Sequence, residues 1–193
     1  NLPLIKQAVE LSSKSDLVVL AIGESVLLSR EAWGGDHVGD RATMDLTESQ
    51  QHLVKLILAT GKPVVTFLNN SKPITFGPLG NQLKTVLSGH YAGQETGSAA
   101  AEIIFGEINP SGKLTLSWPR TVGHLPSHYS QHGSSTVFDY LDSPRGPVFP
   151  FGHGLSYTSF KYGNPSVSSQ TIQPGQEITV SYNLTNTGDV SGT

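Results

Sequence analysis

The chain has no cysteine, few charged residues and no long apolar run. The lack of cysteine excludes disulfides, Cys-ligated zinc and thiol catalysis. No segment approaches the roughly 18 apolar residues of a membrane span, and the net charge of −3 comes without a basic stripe. Neither a membrane nor nucleic acid is therefore an expected partner. The charged fraction is only 14%, while Gly, Pro, Ser and Thr are frequent, which favours an extracellular or periplasmic protein.

The first half of the chain alternates helix and strand signals. Helical patterns cover residues 3–12, a segment that starts at Thr47, and residues 94–105; buried-strand patterns cover residues 16–22, 64–68 and 85–88. Short apolar runs between helical segments are typical of parallel strands. We therefore predict an α/β fold with a mostly parallel sheet and helices on both faces, an α/β sandwich.

The helix after Thr47 has start and stop signals. Thr47-Glu-Ser-Gln50 fits a capping box, in which Gln50 reaches back to the N-cap. Gly61 and Pro63 end the helix. Its predicted apolar stripe consists of Leu53, Leu56 and Ile57.

The second half has a different character. Residues 106–155 are rich in turn residues and predict an irregular wrapping segment. The string Phe149–Phe160, FPFGHGLSYTSF, predicts a tight turn between two packed bodies, because Pro fixes its own φ and Gly tolerates positive φ. Alternation in Ile178–Leu184 predicts a strand, and residues 156–193 read as the start of a β-sandwich. The chain begins at Asn1 without a signal-peptide pattern and stops in this β region, which predicts a fragment of a longer protein.

The loop after the first strand carries the strongest chemical signal. In open α/β sheets, ligands bind beyond the carboxyl ends of the strands, where this loop begins. Its charged and aromatic residues are Glu24, Arg30, Glu31, Trp33, Asp36, His37, Asp40 and Arg41. Carboxylates bind sugar hydroxyls and indole covers a sugar face, and a carboxylic acid is the usual general acid at a glycosidic oxygen. The alternative is a solvated loop whose charges pair with one another.

Other chemistries have weaker support in this loop. A phosphate cradle needs a GxGxxG or Walker pattern, and neither is present. His37 with Asp36 and Asp40 lacks a second histidine at a metal-ligand spacing, so no metal or other cofactor is expected. Ser25 lacks the second glycine of a nucleophile elbow. Asn69-Asn-Ser71 and Asn183-Leu-Thr185 fit the N-glycosylation pattern, which matters only in a secreted eukaryotic protein.

Many separate strings resemble the C-terminal half of glycoside hydrolase family 3, especially its β-glucosidases and β-xylosidases. They are Gly23-Glu24-Ser25, Ser29-Arg30-Glu31-Ala32, Asp40-Arg41, Asp45-Leu46, Gly61-Lys-Pro-Val-Val65, Leu68-Asn69-Asn70, Gly93-Gln94-Glu95, Phe105–Leu114, Trp118-Pro119-Arg120 and Phe149–Thr158. Their order and spacing hold from about residue 10 to residue 193.

The resemblance implies a fold and a mechanism. It implies the family's α/β sandwich domain over residues 1–155 and a linker with a truncated fibronectin type III-like domain over residues 156–193. It also implies a retaining mechanism, in which two carboxylates lie about 5–5.5 Å apart. The family's nucleophile is an aspartate on an N-terminal TIM barrel that this chain lacks. By position Glu31 matches the acid/base; Glu24 or a residue outside the chain are the alternatives.

The expected function is therefore part of an exo-β-glycosidase that removes terminal glucose or xylose from β-linked oligosaccharides or glycosides. Glu31 would be catalytic, and Glu24, Arg30 and Trp33 would contact the substrate. The isolated chain is expected to be inactive because the barrel is absent. The alternative is a non-catalytic carbohydrate-binding or scaffold module. A nucleotide-binding protein would need the phosphate loop that the sequence lacks.

Overall fold

The computed structural model describes residues 2–25, 41–130 and 138–193. The chain divides into two compact units, one formed by residues 1–101 and 114–152 and the other by residues 102–113 and 153–193. Within the described residues, no helix is both long and apolar enough to cross a membrane.

The first unit contains a parallel sheet. Its helices and strands are α1 (Leu2–Ser13), β1 (Val18–Gly23), α2 (Glu48–Ala59), β2 (Val64–Asn69), β3 (Thr85–Ser88) and α3 (Thr96–Ile104), which runs past the division between the units. The strand order is β1-β2-β3, and both strand pairs are parallel, so β2 is central. The predicted mixed α/β fold with a parallel sheet is confirmed, whereas helices on both faces stay a prediction.

One face of the sheet forms the core. Leu20 and Ile22 of β1 and Leu68 of β2 are buried, and they alternate with residues of the other face as the period of a strand requires. The buried core cluster consists of Leu20, Ile22, Leu46, Val54, Leu68, Ile74, Leu79, Leu83 and Trp118. On the opposite face Val19 is half exposed, so the sheet is covered unevenly within the described residues.

Helix α2 differs from its prediction at two points. Val54 and Ile57 are its fully buried residues, whereas Leu53 and Leu56 of the predicted stripe are only half buried. The capping box is wrong, because the Thr47 side chain makes no capping hydrogen bond. The end of the helix is as predicted: Gly61 follows the C-cap with φ +70° and its N–H donates to Leu58 O at 3.1 Å.

Trp118 holds the irregular segment of the first unit in place. Its indole Nε1 donates to Ile74 O at 2.8 Å, and its backbone N donates to Phe149 O at 2.8 Å. Val148 N donates in turn to Trp118 O at 2.7 Å. A buried indole with a satisfied N–H packs as part of the core, so Trp118 anchors this irregular segment through both its side chain and its backbone.

The second unit contains four short strands. They are β4 (Phe160–Tyr162), β5 (Ser166–Val167), β6 (Val180–Ser181) and β7 (Leu184–Asn186). β4 pairs with β7 and β5 with β6, each antiparallel. The single strand expected over Ile178–Leu184 is wrong: the chain changes pairing partner at Tyr182 and Asn183. The fibronectin-like sandwich and the domain end at residue 155 stay predictions.

The two family strings of the second unit contact each other. Asn109 Oδ1 accepts a hydrogen bond from Tyr157 N at 2.7 Å, and Asn109 Nδ2 donates to Ser191 O at 2.8 Å. The Tyr157 hydroxyl donates to Ile103 O at 2.7 Å. These bonds give Asn109 and Tyr157 a structural role.

Candidate functional site

The carboxyl ends of the three parallel strands form the candidate site. Glu24 follows β1, Asn70 follows β2 and Gly89 follows β3, so the chain leaves all three strands at one edge of the sheet. A pocket of about 820 Å³ opens beside this edge. It is lined by Ala21, Ile22, Gly23, Glu24, Ser25, Gln50, Leu53, Phe67, Asn69, Tyr91, Ala92, Gly93 and Thr96.

Gly23 allows β1 and β2 to meet closely at this edge. Its φ is +139°, and a Cβ added there would lie 1.8 Å from Asn69 O. The next residue, Glu24, donates its backbone N–H to the same Asn69 O at 2.7 Å. A side chain at position 23 would therefore push the strands apart where Glu24 leaves the sheet.

Gln50 fixes the same backbone from helix α2. Its Nε2 donates to Gly23 O at 2.7 Å, while its Oε1 accepts from Gly23 N at 2.9 Å. Both polar groups of the amide are used on one residue of β1. This contact replaces the capping bond expected of Gln50, because the Gly23 backbone at the end of β1 offers a donor and an acceptor at the right spacing.

Glu24 is a buried carboxylate with two cationic partners. Its side chain is 1% exposed, and its Oε1 lies 3.3 Å from Arg41 Nη1 and 3.7 Å from Lys72 Nζ. Oε2 is also buried and has no hydrogen-bond partner within the described residues. Burying a carboxylate costs free energy unless cations lie beside it, so the three side chains form one electrostatic unit.

A polar chain connects this unit to β2 and β3. Asn70 is fully buried; its Nδ2 donates to Lys72 O at 2.8 Å, and its Oδ1 accepts from Ser88 Oγ at 3.1 Å. We name the five residues Glu24, Arg41, Lys72, Asn70 and Ser88 the edge network. Lys72, Asn70 and Ser88 were missed as site residues. For Asn70 and Ser88, the signal that could have found them is a polar residue at or just after the end of a predicted strand; Lys72, four positions past the predicted strand 64–68, has no such signal.

The other predicted site residues lie outside the described residues. They are the catalytic candidate Glu31 and the substrate-binding candidates Arg30 and Trp33, together with Asp36, His37 and Asp40. Arg41, which belongs to the same predicted loop, is described and donates from Nη1 to Glu24 Oε1. Contact between Glu24 and a sugar stays a prediction. In the described part of the chain, no three His, Asp or Glu side chains cluster as metal ligands would.

Comparison with known proteins identifies the family. The sequence pattern of the Glycosyl hydrolase family 3 C-terminal domain matches residues 3–157. A β-xylosidase of Formosa agariphila is 41% identical over 189 residues, which are 96% of this chain and 25% of that protein. A periplasmic β-glucosidase of Salmonella typhimurium is 36% identical over 98% of this chain and 25% of its own length.

Solved structures agree with the sequence relatives. A β-glucosidase from Erythrobacter marinus superposes with a TM-score of 0.88 at 37% identity, covering 100% of this chain and 26% of that one. A β-glucosidase from Listeria innocua, solved as a mutant with laminaribiose, gives a TM-score of 0.81 at 32% identity over 97% of this chain and 26% of its own. The chain thus spans about a quarter of its relatives' length, and it belongs to glycoside hydrolase family 3.

Proposed function

We propose that the chain is the acid/base-bearing part of a retaining exo-β-glycosidase that removes a terminal β-linked glucose or xylose. The observation that carries the proposal is the similarity of nearly the whole chain to β-xylosidases and β-glucosidases. The edge network supports it, because it places a fixed carboxylate and two cations where α/β sheets bind ligands.

Glu31 is the proposed acid/base. In the first step of a retaining mechanism it gives its proton to the leaving oxygen while an aspartate attacks the anomeric carbon and forms a glycosyl-enzyme. In the second step it takes a proton from water, which displaces the aspartate. The aspartate would lie on a TIM barrel of the same polypeptide, outside this chain. Glu31 follows Glu24, the first residue after β1, by seven positions in the sequence.

The finer assignments follow from the same proposal. Glu24, Arg30 and Trp33 would contact the substrate. Residues 1–155 would form the α/β sandwich and residues 156–193 the linker and first strands of a fibronectin type III-like domain. An extracellular or periplasmic location is supported by a relative that is named periplasmic.

The test is Glu31→Gln in a full-length polypeptide that carries this chain. We expect kcat/KM to fall by about 10²–10⁴-fold for aryl glycosides with poor leaving groups, and far less for 2,4-dinitrophenyl glycosides, whose leaving group needs no proton. With the 2,4-dinitrophenyl glycoside, azide should rescue deglycosylation and give the β-glycosyl azide, since azide attacks the glycosyl-enzyme without a base.

The matched control is Glu10→Gln, which makes the same chemical change at an exposed carboxylate of α1. It should leave kcat/KM unchanged for both kinds of glycoside. Equal kinetics for Glu31→Gln and the unmodified enzyme would assign the acid/base to another residue. Hydrolysis of an aryl β-glucoside by the 193-residue chain alone, abolished by Glu31→Gln, would contradict the proposed need for the barrel.

A further inference from the structure

We propose that the free side of β1 pairs with a further β-strand, which the full-length polypeptide supplies from outside this chain. The free side consists of the backbone N–H and C=O groups of Val19 and Ala21, which point away from β2. The inference goes beyond the proposed function, because it holds whichever residue is the general acid.

Hydrogen bonds fix the direction in which each residue of β1 points. Val18 N donates to Pro63 O, just before β2, at 2.9 Å, and Glu24 N donates to Asn69 O, at the end of β2, at 2.7 Å. The backbone groups of successive strand residues point to opposite sides. The residues of β1 with even numbers therefore face β2, and those with odd numbers, Gly23 among them, face away from it.

Gln50 occupies one end of the side that faces away. Its amide takes both the N–H and the oxygen of Gly23, at 2.9 and 2.7 Å. In the part of the chain that the structure describes, no group bonds the backbone of Val19 or Ala21 on this side. Such unpaired backbone groups are a template for a further strand. That strand would pair with Val19 and Ala21 and end where Gln50 begins, so the carboxyl edge of the sheet stays open.

The side chains of β1 are those of an interior strand. Leu20 and Ile22 are buried on the core face, and on the opposite face Val19 is 50% exposed and Ala21 is exposed. Strands that are apolar on both faces are typical of parallel sheets covered on both sides. An edge strand that meets water usually carries charges or proline, and β1 carries neither. The residues of β1 thus suit a strand with neighbours on both sides.

The cavity beside β1 has the walls that such a strand needs. It measures about 820 Å³, and Ala21 and Phe67 line it from one face of the sheet, Ile22 and Leu53 from the other. Neighbouring strands lie about 4.7–4.9 Å apart. A strand added beside Ala21 would enter this cavity and place alternate side chains against the two apolar walls, so it should itself be apolar on both faces.

The rest of the full-length polypeptide is the proposed source of the strand. The β-xylosidase relative matches 96% of this chain with only 25% of its own length, and the solved β-glucosidase with a TM-score of 0.88 matches all of it with 26%. Most of such a polypeptide therefore lies outside this chain. Sheets most often have about 4–6 strands, against three within the described residues.

The experiment is amide hydrogen exchange of the full-length polypeptide, resolved to single residues by mass spectrometry. We expect Val19 and Ala21 to exchange within about 10-fold of Leu20, which faces β2. Ser49, an exposed residue in the first turn of α2, is the unprotected reference. Exchange of Val19 and Ala21 as fast as that of Ser49, with Leu20 protected, would overturn the proposal. Protection that is lost on dilution to the monomer would assign the free side to a second copy and would also overturn it.

Ala21→Pro tests whether the covering segment is a strand. Proline lacks the N–H and is tolerated in a strand where that N–H is unused. We expect the exchange of Leu20 and Ile22 to become at least about 10-fold faster in this variant, whereas Ala21→Ser, which keeps the N–H, should leave it unchanged. Unchanged exchange in Ala21→Pro would show that the N–H of Ala21 has no acceptor and would overturn the proposal. If the variant does not fold, the exchange of the unmodified polypeptide decides alone.

Discussion

The sheet edge and helix α1 each contain a glutamate paired with a cationic side chain, in opposite surroundings. At the edge, Glu24 is 1% exposed and its partner Arg41 22% exposed. On α1, Glu10 and Lys14 lie 3.1 Å apart but are 63% and 70% exposed. The shorter distance belongs to the exposed pair, yet in that pair water screens both charges. Distance alone therefore does not decide which of the two ion pairs is the stronger.

Fixed backbone makes the difference between the two regions. The sheet edge is held by Gly23, by the two hydrogen bonds of Gln50 and by the edge network. In α1 Ser12 is the single buried residue, while Leu4 is 60% and Leu11 69% exposed. A charge on a fixed, buried backbone can orient a neighbouring group, whereas one on an exposed helix mainly adds solubility.

Gly23→Ala is expected to have the largest effect on this comparison. The added Cβ would meet Asn69 O at 1.8 Å, and alanine would keep an unfavourable positive φ. The steric overlap and the backbone strain together should lower the free energy of unfolding by about 4 kcal/mol. Urea denaturation followed by circular dichroism measures the change.

Gly61→Ala is the control that separates backbone strain from steric overlap. Gly61 also has a positive φ, +70°, but a Cβ there meets nothing within 4 Å. Its substitution should lower the free energy of unfolding by only about 1 kcal/mol. Equal losses for Gly23→Ala and Gly61→Ala would mean that the close strand contact at the edge is not tightly held.

Gln50→Ala is expected to have an intermediate effect. It removes both hydrogen bonds to Gly23 and leaves that backbone N–H and oxygen half buried, which should lower the free energy of unfolding by about 2 kcal/mol. Gln51→Ala is the neighbouring control, since it removes one hydrogen bond, to Leu46 O, from a residue of similar burial. A larger loss for Gln51→Ala would contradict a special role for the amide at the edge.

The sequence predicts elements well and their partners poorly. β1, β2 and β3 were found because each is a short apolar run between turn residues, a local property. Gln50 was assigned to the helix cap because a capping box is also local. Its true partner, Gly23, lies 27 positions away and becomes its neighbour only when β1 and α2 pack.

The second unit shows the same limit. Alternation over Ile178–Leu184 predicts one strand, but periodicity says which face a residue takes and not which strand it pairs with. The chain pairs with β5 through Val180 and with β4 through Leu184. At the site, Glu24 was predicted from its place at a strand end. Lys72 as its partner was not, because that contact depends on the distance between two turns.

The smallest effect is expected at the exposed pair and gives the comparison its sharpest test. Glu10→Gln should change the free energy of unfolding by less than about 0.5 kcal/mol, because the gain from an exposed ion pair is offset by side-chain entropy and screening. Glu24→Gln makes the identical change beside Arg41 and Lys72, which are about four-fifths buried. It should lower the free energy of unfolding by about 3 kcal/mol. Raising the salt concentration should alter the contribution of Glu10 more than that of Glu24, since salt screens exposed charges first. If the two substitutions lowered the free energy of unfolding equally and with the same salt dependence, Glu24 would be more hydrated than its burial indicates. The edge network would then restrain its residues no more firmly than α1 does.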